Sequence, residues 1–191
     1  MKTLRARVMI HDKTTNRPIR HGRAAPALVA AVLLATAAPA GAAPQMIPDA
    51  GATWVGRAAP DFDLPTAGGE SFRLSAHRGE TVLVAFWASW CTVCRAEIPA
   101  LAALQSRRAG LQLVGVNVDR DAEAARRYLR GLDVNFATVL DPDARLMGVY
   151  EVETMPTVVV VDPKGIVRLV KVGYSPERGL SEIEQTLARI P

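Results

Sequence analysis

The sequence predicts an α/β domain, with one central sheet and helices on both of its faces, from three features. Thr81–Phe86 is a nearly continuous apolar run rich in β-branched residues, which reads as a strand covered on both faces. After a short Ser89-Trp90 junction the period changes, and Cys94, Ile98, Leu101 and Gln105 recur at three and four residues as one face of a helix does. Farther along, Leu111–Val118 alternates into a second apolar strand, and a hairpin and a closing helix follow. Crossovers between parallel strands of such a sheet are expected to be right-handed.

The elements follow in order. Residues 1–23 are basic and polar, and 24–40 are rich in Ala, Leu and Val, interrupted by Pro26 and closed by small residues. That is the layout of a secretory signal, with Ala38-Pro39-Ala40 or Ala40-Gly41-Ala42 as its cleavage site. The charged region is long, which suits a start at Met9, and the leader holds neither an Arg-Arg pair nor a cysteine for lipidation. If the segment is retained, residues 24–40 become a membrane tether, although they are short against the ~20 residues a span needs. We expect residues 1–42 to be a signal peptide or signal anchor, 43–54 a linker, and 55–191 one domain facing a periplasmic or other extracytoplasmic compartment.

Val55–Leu64, a Gly68-Gly69 turn and Ser71–Leu74 predict an N-terminal β-hairpin. The first long helix should end near Gly110. Asp121 can cap a helix running to Arg130 and stopped by Gly131, and its Arg126, Arg127 and Arg130 read as a solvated face. Asn135–Val139 is a short strand, and Asp141-Pro142 starts a turn of helix through Ala144, Leu146 and Tyr150. Thr157–Asp162, the turn Pro163-Lys164-Gly165 and Ile166–Val172 form the clearest hairpin, with Pro at i+1 and Gly at i+3 suiting a type I turn. Leu180, Ile183, Leu187 and Ile190 then mark an amphipathic helix.

The formal charge of +4 over 191 residues invites a nucleic-acid reading, which the distribution removes. Seven of the 23 Lys/Arg lie in residues 1–42 against the single acid Asp12, so the remainder carries 16 basic and 18 acidic residues, a net −2. No nucleic-acid partner is expected. Both cysteines sit in one C-x-x-C, leaving no disulfide framework and no second pair to complete a zinc site. Of the three histidines only His77 lies outside the leader, in a context that reads as a solvated loop.

Cys91 and Cys94 stand where the strand hands over to the helix N-terminus. Free backbone N–H groups and the helix dipole there favour a thiolate on Cys91, while Cys94 lies one turn deeper on the apolar stripe. An exposed thiol with a buried one in reach is what thiol–disulfide exchange requires: Cys91 attacks a substrate disulfide and Cys94 resolves the mixed disulfide. A purely structural disulfide would close only the short Cys91–Cys94 ring and constrain little of the unfolded chain. Glu97, one turn past Cys94 on the apolar side, is placed to exchange a proton with it. Pro99 lies inside the helix and is expected to kink it.

Phe86-Trp87-Ala88-Ser89-Trp90-Cys91-Thr92-Val93-Cys94, then Glu97 and Pro99, then Thr154-Met155-Pro156-Thr157 ahead of an apolar run, resemble the thioredoxin superfamily, and within it the TlpA/ResA/DsbE-type thiol–disulfide oxidoreductases. The resemblance spans residues 55–191 and implies a thioredoxin-like fold, a central mixed β-sheet flanked by helices with an added N-terminal β-hairpin. It implies a cis-proline at Pro156 and pairing of the Met155 backbone with an incoming substrate chain. It also implies a proton-handling role for Glu97, as a glutamate at the matching position has in ResA-like members. Trp87 and Trp90 are expected to flank the site, shielding it and shaping its substrate face. The partners implied are proteins with disulfides or cysteine pairs, among them apocytochrome c, and a membrane electron donor. No cofactor is expected beyond the redox-active Cys91–Cys94 disulfide, no metal, and a monomeric state. Two positions depart from the pattern: Ala85 stands where thioredoxin has a buried aspartate, and Val93 where many relatives have proline.

Two other functions share parts of this pattern. The Ala59-Pro60-Asp61-Phe62 opener is shared with thiol peroxidases of the peroxiredoxin class, whose P-x-x-x-T-x-x-C pattern puts Pro and Thr seven and three residues before the reactive cysteine. Counting back from Cys94 gives Trp87 and Cys91, and from Cys91 gives Val84 and Ala88, so neither register fits. A Cu(I) chaperone uses two soft thiolates, but related chaperones add a distal histidine, and residues 95–191 contain none.

Overall fold

The computed structural model describes residues 52–132 and 135–191. The expected signal or tether, and the linker up to residue 51, lie outside the described residues. Ala52–Trp54 forms a 3-10 turn, with Trp54 against Tyr150 at a ring separation of 6.4 Å. The last three residues of the expected linker are therefore part of the folded unit. Among the described residues no helix is long and apolar enough to cross a membrane.

Two short strands, β1 (Asp63–Pro65) and β2 (Ser71–Arg73), pair antiparallel as the expected N-terminal hairpin. The main sheet holds β3 (Thr81–Trp87), β4 (Leu111–Asn117), β5 (Ala137–Leu140), β6 (Thr157–Val161) and β7 (Val167–Val172), in the order β5-β4-β3-β6-β7. Four helices connect or close it: α1 (Thr92–Arg107), α2 (Ala122–Arg130), α3 (Arg145–Val149) and α4 (Ser181–Leu187). β3, β4 and β5 run parallel, whereas β6 and β7 are antiparallel, so the sheet is mixed. The central strand is β3, buried at all seven positions, which explains its unbroken apolar run.

Local chemistry sets the boundaries. The Asp121 side chain accepts from Glu123 N and starts α2, and Asp141 accepts from both Arg145 N and Leu146 N at the start of α3. At the β6-β7 turn, Gly165 adopts φ +79° and donates to Asp162 O at 2.8 Å. The Asp162 carboxylate is buried, which pushes its pKa up, but bonds from Ile166 N, Arg168 and Lys164 N outweigh that and hold it below the usual range. Gly115 has a different cause: a Cβ there would meet Trp87 Nε1 at 2.6 Å, so the glycine makes room for a buried indole.

Side chains along β3 alternate between two cores. Val82, Val84 and Phe86 join Phe62, Phe72 and Tyr150 on the hairpin side, while Leu83, Ala85 and Trp87 join Cys94, Ile98, Leu101, Ile183 and Leu187 beneath α1 and α4. Three expectations change. His77 is half-buried rather than solvated, its ring stacked on Phe72 at 4.4 Å and its Nδ1 2.8 Å from Glu80 Oε2. Arg126 is more than a solvated side chain, because its Nε donates to Ala67 O and ties α2 to the hairpin loop. Trp87 belongs to the core and is fully buried, so it cannot shape a substrate face.

Candidate active site

The site forms at the C-terminal ends of the parallel strands β3 and β4, where an open α/β sheet leaves a crevice. β3 ends at Trp87, and the Ala88–Trp90 turn, closed by a bond from Cys91 N to Ala88 O at 3.1 Å, delivers the chain to α1. Cys91 is the N-cap of α1, with its Sγ accepting from Cys94 N at 3.2 Å. Cys91 and Cys94 are joined by a disulfide, with S–S 2.02 Å and Cα–Cα 5.3 Å. Cys91 is half-buried at the rim, whereas Cys94 is 0 % exposed.

Helical spacing carries Glu97 to the same buried side as Cys94, and it is 1 % exposed. Its Oε1 lies 3.6 Å from Lys171 Nζ, an ion pair too long for a hydrogen bond, and that oxygen has no other hydrogen-bond partner. Burial pushes the Glu97 carboxyl up to about 7, against the pull of the Lys171 charge.

The Met155-Pro156 bond is cis. Thr157 pairs with Phe86 in the sheet register, so Met155-Pro156 arrives at the same end of the sheet as the Trp87–Cys91 turn. Gly173 N donates to Pro156 O at 2.7 Å. Trp90 is 68 % exposed. Trp90 and Met155 line one open groove of about 760 Å³, with Met147 on its apolar side and Arg120, Asp143 and Glu153 supplying charge. The structure thus brings Cys91, Cys94 and Glu97 together on α1 and sets Trp90 and Met155 along a groove beside them.

Sequence reasoning missed Asp119 and Lys171. Asp119 is buried and accepts from Ser89 N and Ser89 Oγ, each at 3.0 Å, and from Asn117 Nδ2 at 2.8 Å, so it fastens the turn two residues ahead of Cys91. A polar Asn117-Val118-Asp119 closing an apolar parallel strand was the available signal. Nothing local marks Lys171, which is simply one of the alternating residues of β7.

A profile of the AhpC/TSA family matches residues 55–170. The thiol-disulfide oxidoreductase ResA of Bacillus subtilis is 33 % identical over 124 residues, covering 64 % of this chain and 69 % of ResA. The chain belongs to the AhpC/TSA family, among its ResA-type thiol–disulfide oxidoreductases. The thioredoxin-like protein YneN, also of Bacillus subtilis, is 35 % identical over 136 residues, 69 % of this chain and 78 % of YneN. Among solved structures, one described as a thiol:disulfide interchange protein DsbE from Chlorobium tepidum superimposes with a TM-score of 0.67 at 34 % identity, over 72 % of this chain and 98 % of that one. The fold of this ResA-type protein is accordingly thioredoxin-like, and the protein is a thiol–disulfide oxidoreductase.

Proposed function

We propose that this oxidoreductase works as a reductant of exported proteins, with Cys91 attacking, Cys94 resolving and Glu97 managing the proton. The observation that carries the reading is the asymmetry of the pair: Cys91 is half-buried and caps a helix next to Trp90, which lines the groove, and its disulfide partner Cys94 is sealed in the core.

In the reduced protein a Cys91 thiolate would receive the Cys94 N–H that its sulfur already accepts, together with the dipole of α1. It attacks one sulfur of a client disulfide, forming a mixed disulfide and expelling one client thiolate. The Cys94 thiol then passes its proton to the Glu97 carboxylate and attacks Cys91 Sγ. The second client sulfur leaves as a thiolate, and both client thiolates take protons from water. Two electrons have moved from the dithiol to the client, and Glu97 later returns its proton to solvent. A carboxyl held near 7 suits this role, since it can both accept and release a proton at neutral pH.

Exposed Trp90 and Val93 beside Cys91, and Met155 lining the same groove as Trp90, support a protein rather than a small-molecule client, with Met155-Pro156 as the segment along which an extended chain would lie. Apocytochrome c cysteine pairs and metal-site cysteines are the clients we favour, because thiol pairs in an oxidising compartment must be kept reduced for loading. The signal-like layout of residues 1–42 supports such a compartment, where a membrane thiol–disulfide donor would recharge the protein.

Equilibrating the protein against defined glutathione or dithiothreitol ratios tests the direction. A potential near ~−270 mV fits a reductant fed by a membrane donor, and one near ~−120 mV would replace that reading with a disulfide-donating oxidase.

A further inference from the structure

Lys171 sits on the sheet row Gly115, Ala85, Val158, Lys171, which crosses β4, β3, β6 and β7 by direct register pairing. Ala85 and Val158 both face the core beneath α1, so Lys171 projects to that face as well. Ala85, the position that departs from the thioredoxin pattern, supplies no carboxylate there. Glu97 supplies one from the helix above, and Lys171 supplies the cation from the edge strand.

The ammonium is held in place on three sides. Lys171 Nζ donates to Gly173 O, lies 5.7 Å from the Tyr174 ring centroid, and stands 3.6 Å from Glu97 Oε1. The lysine side chain is 10 % exposed, and it lines a cleft of about 200 Å³ that also presents Ser175, Arg178 and Glu182. The cleft lies on one side of it, while its ammonium stands close to the buried carboxylate. The elements packed around Glu97 offer little else. β3 and β6 present Leu83, Ala85, Val158 and Val160 to this core, and α4 presents Ile183 and Leu187, all without charge. On α1 itself the neighbouring titratable group is Cys94, here in its disulfide. Among the described residues Lys171 is the charged side chain paired with Glu97.

Burial favours the protonated carboxyl of Glu97 and the Lys171 cation at 3.6 Å favours the ionised one, so the lysine charge bears directly on the protonation of Glu97. We propose that Lys171 is a positioning residue that sets the proton occupancy of Glu97, and through it the ease with which Cys94 gives up its proton. The inference rests on the assignment of Glu97 as the proton acceptor of Cys94.

The test uses the full chain in two states. In the oxidised protein, an NMR titration of the Glu97 carboxyl reads its midpoint directly. In the reduced protein, the pH profile of mixed-disulfide resolution reads the function. Lys171→Met is expected to raise the Glu97 midpoint by one pH unit or more, the size of effect an opposite charge within ~4–6 Å exerts. It should slow resolution about fivefold at neutral pH, because a midpoint moved from about 7 to about 8 lowers the ionised fraction at pH 7 from roughly one half to roughly one tenth. Lys171→Arg is expected to restore both, and Lys171→Gln serves as a second neutral variant should the methionine perturb folding. In a Glu97→Gln background, Lys171→Met should change nothing further.

An unmoved midpoint in both neutral variants overturns the role of Lys171, and if Glu97→Gln still slows resolution, Glu97 keeps its own role. If Glu97→Gln resolves mixed disulfides at the wild-type rate, Glu97 is not the acceptor and the inference falls with it. If Lys171→Met slows resolution equally in the Glu97→Gln background, the lysine acts on the cysteines directly and the coupling is refuted.

Discussion

Val82, Val84 and Phe86 of β3 turn to one face of the sheet and Leu83, Ala85 and Trp87 to the other, and the two cores they enter are built on different terms. The first is aromatic: Phe62 lies 6.0 Å from Phe72 and 6.5 Å from Tyr150, and Tyr150 lies 5.6 Å from Phe86. The Tyr150 hydroxyl there donates to Pro60 O at 2.6 Å, and burial raises its pKa well out of reach. The second core holds the disulfide and lies beside a carboxylate whose Oε1 has no hydrogen bond and a lysine close to it, while an indole N–H without a partner occurs on both sides, on Trp54 and on Trp87. Burying polar groups without partners costs free energy. The hairpin side supplies stability that the cysteine side gives up in order to hold groups able to change charge.

The largest expected effect is on the cysteine side. Cys94→Ser should bring multiple turnover to background while a client stays covalently attached through Cys91, visible as a dithiothreitol-sensitive adduct on a non-reducing gel. Turnover that survives this change would mean that Cys94 does not resolve.

Next comes a test of the hairpin side as the stabilising core. Phe62→Ala should lower stability by about 3–5 kcal/mol in urea unfolding while leaving the reduction potential unchanged. A shifted potential would show that the two cores are not separable.

The pH dependence sharpens the contrast. Glu97 is raised from its ordinary 4.5 to about 7 in the folded oxidised protein. Its contribution to stability is therefore fully present below pH 4.5 and is lost as pH rises through 7. The loss amounts to at most about 3–4 kcal/mol, at ~1.4 kcal/mol per unit over the shift from 4.5 to about 7. Glu97→Gln should flatten the oxidised protein's stability across that window, and a slope that persists would assign the effect elsewhere. No such slope is expected from the aromatic core.

The smallest effect concerns the turn ahead of Cys91. Asp119→Asn keeps the shape but replaces one acceptor oxygen by a donor facing Ser89 or Asn117, and should cost about 1–3 kcal/mol. Because the turn positions Cys91, the rate of client attack should fall along with stability. An unchanged rate would make Asp119 a structural residue alone.

How much was legible depends on the range of the interaction. The strand under the cysteines, the hairpin around Pro163-Lys164-Gly165 and the Asp121 cap are written in neighbouring residues, and the structure places them as read. Glu97 was legible for the same reason, since helical spacing alone puts it on the side of Cys94. His77 was misread because its ring is covered by Phe72, a contact between a strand and the turn after it that loop composition does not record. Trp87 is expected to flank the site and shape its substrate face because it lies near the cysteines in the chain, whereas β-alternation sends it into the core toward Gly115.

By itself the sequence determined the class of fold, the redox pair and which cysteine would be the less buried, because each follows from residue period and from the free N–H groups at one helix end. Only the tertiary structure decided what surrounds the pair. Lys171 reaches Glu97 because β7 pairs with β6 and β6 with β3, and Asp119 reaches Ser89 because β4 runs parallel to β3. Charges act through space and fall off with distance rather than with position along the chain, so the charged groups around the cysteine turn and Glu97 come from strands whose neighbours are known only once the sheet has formed.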